Sequence, residues 1–189
     1  MKKLLVLFCG FILGACASVY DPAPQILPEH IKKVCIRPFI NRTNQFGLET
    51  KFTNALVDEI MRDGRLSLVN AESESDGVLS VEIKRYILQP LTYDASMVVE
   101  QYKLWVIISV SFIDRENNVT LWTEPNLEGI QIYLDATKGS IATKGSIGEG
   151  MTEEEARDII WEKLSRNIVK RTIKGFGSVT SVSERKVPV

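Results

Sequence analysis

The chain reads as an α+β two-layer sandwich, a mostly antiparallel sheet with two helices packed on one face. Three observations predict it. Segments of period-two hydrophobicity cluster in the middle of the chain, one helical pattern lies on either side of them, and 44% apolar residues suffice for a core. The order is β-α-β-β-β-β-β-α.

Lys33 to Phe39 alternates around Val34 and Ile36 and ends near Pro38, as proline suits strand ends and edges. Asn41 to Gly47 is a polar loop. Leu48, Phe52, Ala55, Leu56 and Ile60 then share one helical face, and Asp63-Gly64 supplies the stop. Leu66 to Val69 is a short strand, followed by a polar turn over Glu72 to Gly77.

Longer strands follow. Val78 to Leu88 places Leu79, Val81, Ile83 and Ile87 on one face. Tyr102 to Phe112 sets Tyr102, Leu104, Val106, Ile108, Val110 and Phe112 on one face, the cleanest period-two signal present. Asn117-Asn118 marks a tight turn. Val119 to Trp122 and Leu127 to Leu134 form a further pair, separated by a turn at Pro125-Asn126.

The last helix is the best marked. Thr152 and Glu155 form a capping box, and Glu153 and Glu154 oppose the positive end of the helix dipole. Ile160, Leu164, Ile168 and Thr172 line one side with Ala156 above them. Lys170, Arg171 and Lys174 suit the C-terminal end, and Gly175 stops it.

The N-terminus sets the address. Met1-Lys2-Lys3 is positive, Leu4 to Leu13 is apolar, and Gly14-Ala15 precede Cys16. This is the layout of a secretory signal, too short to cross a hydrocarbon core of about 30 Å. A cysteine directly after the small residues resembles a bacterial lipobox. In that motif the chain is cut before the cysteine, whose thiol and new amine are acylated. At about 0.8 kcal/mol per buried methylene, several acyl chains anchor a protein firmly. The plainer reading is an ordinary cleaved signal with Cys16 as a free thiol. Ala17 is not Asp, which by the enteric rule directs such a lipoprotein to the outer membrane.

The expected organisation is a signal over 1–15, a lipidated proline-rich tether over 16–29, the domain over 30–176 and a flexible tail over 177–189. Loss of Lys2 and Lys3 takes the net charge from −1 to −3, with no basic bias toward nucleic acid. With Cys9 removed and Cys16 alkylated, Cys35 has no internal partner and reads as a small hydrophobe in a strand. Ala136 to Ile141 (ATKGSI) is repeated at once by Ala142 to Ile147. Two copies do not build a solenoid. An exposed duplicated loop is one reading, and a functional basic loop with Lys138 and Lys144 the other.

With its elements placed, the sequence resembles the LptE family of lipopolysaccharide-assembly lipoproteins. The resemblance runs from the lipobox to Phe176. It rests on Val34 to Glu49 (VCIRPFINRTNQFGLE), Arg65 to Val69 (RLSLV), Tyr86 to Asp94 (YILQPLTYD), Glu100 to Leu104 (EQYKL), Leu121-Trp122 and the closing helix through Lys174-Gly175-Phe176. No single piece is diagnostic; their order and spacing are. Ala17-Ser18-Val19-Tyr20 departs from the family's usual residues after the lipid cysteine, and the hexapeptide duplication is private to this chain. The resemblance implies a non-enzymatic subunit that plugs a large outer-membrane β-barrel, LptD, assists its assembly and helps deliver lipopolysaccharide, which it can bind.

The residues agree with a binding role. The single histidine, His30, sits at the end of the tether, which leaves a Ser-His-Asp arrangement dependent on a mobile residue. There is no Walker loop, no HExxH motif and no His/Cys set for a metal, and no cofactor is expected. Glu153, Glu154 and Glu155 read as helix-start acids rather than a hydrolase's carboxylates. The sequons at Asn41 and Asn118 read as turn residues. If Leu79, Val81, Ile83, Leu104, Val106 and Ile108 face the helices, the opposite face carries Lys84, Tyr86, Lys103, Trp105, Ile107, Gln131 and Tyr133. Aromatics with cations suit a partner surface. Lys84, Tyr86, Lys103, Trp105 and Tyr133 are therefore the candidate contacts for barrel or lipopolysaccharide, with the lysines suited to lipid phosphates. Simple solvation of one sheet face is the bland reading of the lysines.

Overall fold

Three long hairpin-linked strands dominate the chain because its middle third alternates apolar and polar residues for longer than a single hydrophobic layer requires. The computed structural model describes residues 27–135 and 150–174. The signal, Cys16, most of the tether, the ATKGSI duplication, Gly175 and the tail lie outside the described residues. Along the chain run β1 (Lys33–Ile36), β2 (Ile40–Asn41), α1 (Leu48–Asp63), β3 (Ser67–Leu68), a single 3₁₀ turn (Glu72–Glu74), β4 (Gly77–Tyr93), β5 (Val99–Asp114), β6 (Val119–Asp135), β7 (Gly150–Met151) and α2 (Glu153–Lys174). The expected fold class is the one observed: one sheet with two helices on one face.

The sheet order is β3-β1-β4-β5-β6-β7, and β2 also pairs with β4. The centre, β4-β5-β6, is an antiparallel meander. The short strands β1, β2, β3 and β7 all join in parallel. Parallel pairing follows from the chain path, since α1 carries the chain from β2 back to β3 and returns it in the same direction.

Both helices are amphipathic as the spacing predicts. Leu48, Phe52, Leu56 and Ile60 are buried on α1. Gly47 and Gly64 flank it at φ 75° and 73°, the left-handed region where a side chain would add strain, and Gly64 N donates to Ile60 O at 3.1 Å. The capping box on α2 is present: Thr152 N donates to Glu155 Oε2 at 2.7 Å and Glu155 N to Thr152 Oγ1 at 3.2 Å. The buried stripe of α2 is wider than the expected one. Trp161, Ser165, Val169 and Ile173 join Ile160, Leu164, Ile168 and Thr172, because α2 packs against the sheet on one side and α1 on the other. Phe52 and Trp161 stack at 4.6 Å across the helix pair, and Phe39 meets Phe52 edge-on at 5.0 Å. Gly129 on β6 lets α2 approach: a Cβ there would lie 2.5 Å from Ile160 Cγ2. Cys35 is buried and free, its Sγ 3.7 Å from Asn70 O.

Three expectations are corrected. First, β4 and β5 run to Tyr93 and from Val99, beyond the expected ends at Leu88 and Tyr102. The two strands satisfy each other's backbone there while most side chains stay exposed, so burial leaves no alternation to read. Second, Val119 to Asp135 is one strand, not two. Pro125 and Asn126 together oppose only Ser109 in a β-bulge, since Ile108 pairs with Leu127 and Val110 with Glu124. Third, His30 is not left without a partner at the end of a tether: its Nε2 lies 2.9 Å from Oδ2 of buried Asp114.

Candidate functional site

The face of the meander turned away from the helices is set by β5. Leu104, Val106, Ile108, Val110 and Phe112 are buried beneath α1 and α2, so Lys103, Trp105, Ile107, Ser109 and Ser111 point to the other side. Paired residues share a face. Trp105 pairs with Ile87 on β4 and Ile130 on β6, and Lys103 pairs with Gln89 and Ile132. Lys103 Nζ sits 4.8 Å from the Trp105 ring centroid, a cation–π contact. Ile130 and Ile132 remain 41% and 48% exposed, and Trp105 Nε1 has no hydrogen-bond partner among the described residues. The result is an apolar stripe crossing three strands with a cation at its rim. Both helices pack on the other side of the sheet, and on this face Ile107 is itself buried between the flanking strands.

Of the five candidate residues, Lys103 and Trp105 lie together on this face. Lys84 is elsewhere in role. It is the extra residue of a bulge on β4, between the pairs Ile83–Ile108 and Arg85–Ile107. Its ammonium donates to Pro125 O at 3.2 Å and Asn126 Oδ1 at 3.0 Å, closing the neighbouring bulge on β6. Two bulges beside each other are thus held by one lysine.

The Lys84 bulge also shifts the face of everything after it. Tyr86 pairs with Val106 and lies on the helix side, where its hydroxyl donates to Glu153 Oε1 at 2.6 Å; Ile87 takes the uncovered face. Burial first, then the bond to the Glu153 carboxylate, raises the Tyr86 pKa far above its ordinary value. Tyr133 and Gln131 pair with Tyr102 and Leu104, so they too lie on the helix side. Tyr133 is buried, stacks on Tyr102 at 5.8 Å, and has its hydroxyl pushed up to about 12, chiefly by burial. Gln131 accepts a bond from Lys163 at 2.8 Å. The placement of Tyr86, Gln131 and Tyr133 on the uncovered face is therefore corrected. Ile87, Ile130 and Ile132 replace them. The alternation Ile130, Ile132, Leu134 was visible in the sequence, but its side depended on a register that only pairing reveals.

Beyond the helices the β4–β5 hairpin projects with Leu88, Leu91, Tyr93, Met97 and Val98 exposed. Its turn is ordered by Asp94, which accepts from Ser96 N at 2.7 Å and Val98 N at 2.9 Å and leaves Met97 at φ 62°. Arg42 is held by Glu82 at 3.0 Å. Glu153 and Glu154 are engaged by Tyr86 and Lys51, in keeping with a structural role at the helix start. Among the described residues no group of His, Cys, Asp and Glu could hold a metal ion, and no helix is long and apolar enough to cross a membrane.

A family model described as LptE, lipopolysaccharide-assembly, matches residues 31–172. The chain belongs to this family. Solved structures agree on the fold. A protein from Xanthomonas campestris, XCC0632, is 9% identical with a TM-score of 0.53, covering 81% of this chain and 88% of its own. The hypothetical protein CT253 from Chlamydia trachomatis is 16% identical with a TM-score of 0.52, covering 78% and 98%. Among curated proteins, none matches the chain.

Proposed function

We propose that this LptE-family chain is a non-catalytic, lipid-anchored outer-membrane subunit that seats in an LptD-type β-barrel, assists its assembly and takes part in delivering lipopolysaccharide to the outer leaflet. The observation that carries the reading is the family match over 31–172, joined to an uncovered sheet face rich in apolar side chains. A stripe formed by Ile87, Trp105, Ile130 and Ile132 is more apolar than a solvated face requires, and such patches mark contact surfaces. Lys103 at its rim suits either a polar barrel wall or a lipid phosphate. Cys16 is the proposed attachment point of the lipid, and two or more acyl chains there would make anchoring effectively permanent.

The test is extraction of the native protein in mild detergent. The reading expects a large β-barrel to accompany it and intact-mass analysis to show an acylated Cys16. Depletion should lower lipopolysaccharide at the cell surface. Purification without a barrel, with surface lipopolysaccharide unchanged, would assign the chain instead to another envelope complex.

A further inference from the structure

A second surface lies along the outer margin of β6, beside the two-residue β7 that ends the sheet. From Thr120 to Tyr133 β6 has a single neighbour among the described strands, β5, since β7 pairs only at Leu134 and Asp135. Over 127–133 its outer backbone groups have no strand partner among the described residues. The free margin of β4 beyond Ile83 is protected by the Lys84 bulge, by Pro90 and by a second irregularity around Thr92. On β6 the irregularities, one at Leu121 and one at Pro125-Asn126, all precede residue 127. Residues 127–133 pair with 102–108 in unbroken register, an edge able to accept another strand.

That edge opens into a cleft of about 340 Å³ between β6 and α2, lined by Glu128, Gly129, Ile130, Lys163, Leu164, Arg166, Asn167 and Lys170. Lys163, Arg166 and Lys170 form a stripe at helical spacing along α2. It is about 10 Å long at 1.5 Å per residue, a reach matched by acids at every second position of an extended chain. Glu128 is the single acid on the cleft wall. Arg166 is paired with Glu162 at 2.5 Å, whereas Lys163 bonds only the neutral Gln131 amide at 2.8 Å, so Lys163 and Lys170 carry the cleft's surplus positive charge against Glu128. On the other side of the edge stand exposed Ile130 and Ile132.

We propose that this cleft takes up an extended acidic segment of a second polypeptide, added as a further strand along β6, with its acids toward α2 and its apolar residues beside Ile130 and Ile132. Strand addition supplies affinity through main-chain bonds and specificity through alternate side chains. Charge argues against the two segments that flank β6 and α2 as occupants: 136–149 carries Lys138 and Lys144 against Glu149, and 175–189 carries Arg185 and Lys186 against Glu184. The proposal rests on the cleft and not on the barrel reading, so either can fail alone.

The test uses the full-length protein and a labelled nine-residue peptide alternating Glu with Val or Thr. Fluorescence anisotropy should show saturable binding, weakened at least tenfold when Lys replaces Glu in the peptide. The double variant Arg166→Gln/Lys170→Gln should weaken it likewise while Tm falls by no more than about 2 °C, the cost of one exposed ion pair. Peptides N-methylated on either set of alternate amides distinguish strand pairing from charge alone, and the set facing β6 should abolish binding. Hydrogen exchange should slow at amides within 127–133 when the acidic peptide is bound. Equal binding of the Lys peptide or of both N-methylated peptides, or unchanged exchange, would overturn the proposal. So would protection of 127–133 in the free protein that disappears when 177–189 are deleted. Binding of phosphatidylglycerol vesicles in place of the peptide, lost in the double variant, would assign the cleft to headgroup phosphate and overturn it too.

Discussion

The two ends of the β4–β5 hairpin are the same structure under different cover. At the base, Leu79, Val81, Ile83, Ile108, Val110 and Phe112 lie beneath the helices, and β4 gains a second neighbour in β1 or β2. At the tip, Leu88, Leu91, Tyr93, Met97 and Val98 are exposed, and among the described strands β4 has only β5. Backbone pairing continues to the end in both. What changes is the hydrophobic contribution, at about 25 cal/mol per Å² of apolar surface buried. The base therefore holds the fold together, while the tip leaves its apolar surface available to something else. The change begins at Lys84, where the bulge turns the alternation over.

The largest expected effect tests the covered side. Phe52→Ala removes the ring between Phe39 and Trp161 and should cost about 3–5 kcal/mol in urea unfolding, since a cavity adds to the lost burial. Gly129→Val should cost up to about 3 kcal/mol by overpacking, because Ile160 and Leu164 of α2 already occupy the space of a side chain.

Next comes the acid limb. Asp114 is buried, which alone would raise its pKa, but bonds from the Asn117 side chain, the Asn117 amide and His30 outweigh this and hold it below the usual range. Its stabilisation is present above the unfolded carboxylate's pKa near 3.9 and is lost as pH falls through the depressed folded value. Asp114→Ala should lower stability at neutral pH by about 2 kcal/mol and flatten the decline below about pH 4, measured by unfolding at stepped pH. At the small end, Leu91→Ser and Met97→Ser should leave the unfolding free energy from urea titration unchanged within about 0.5 kcal/mol, because neither side chain is buried. A cost above 1 kcal/mol there would break the comparison.

Legibility followed the same division. The Leu48–Ile60 stripe, the Thr152/Glu155 box and the Tyr102–Phe112 alternation all stated their roles locally, because each is a short-range pattern tied to one burial direction. The faces of Tyr86 and Tyr133 were not legible. A one-residue bulge reverses a strand's two faces with no compositional mark, and register between strands is a long-range property. Lys84 looked like a surface cation and is the clasp of two bulges. His30 looked tethered because the proline-rich run before it hides a partner 84 residues away. The cationic cleft went unread because Lys163, Arg166 and Lys170 resemble an ordinary solvated helix face until β6 is placed beside them.

The most direct test of the central claim is photo-crosslinking in living cells from two positions, Ile132 on the uncovered face and Met61 on the outer side of α1. The account predicts an adduct with a large β-barrel from Ile132 and none from Met61. A barrel adduct from Met61, with Ile132 silent, would contradict it.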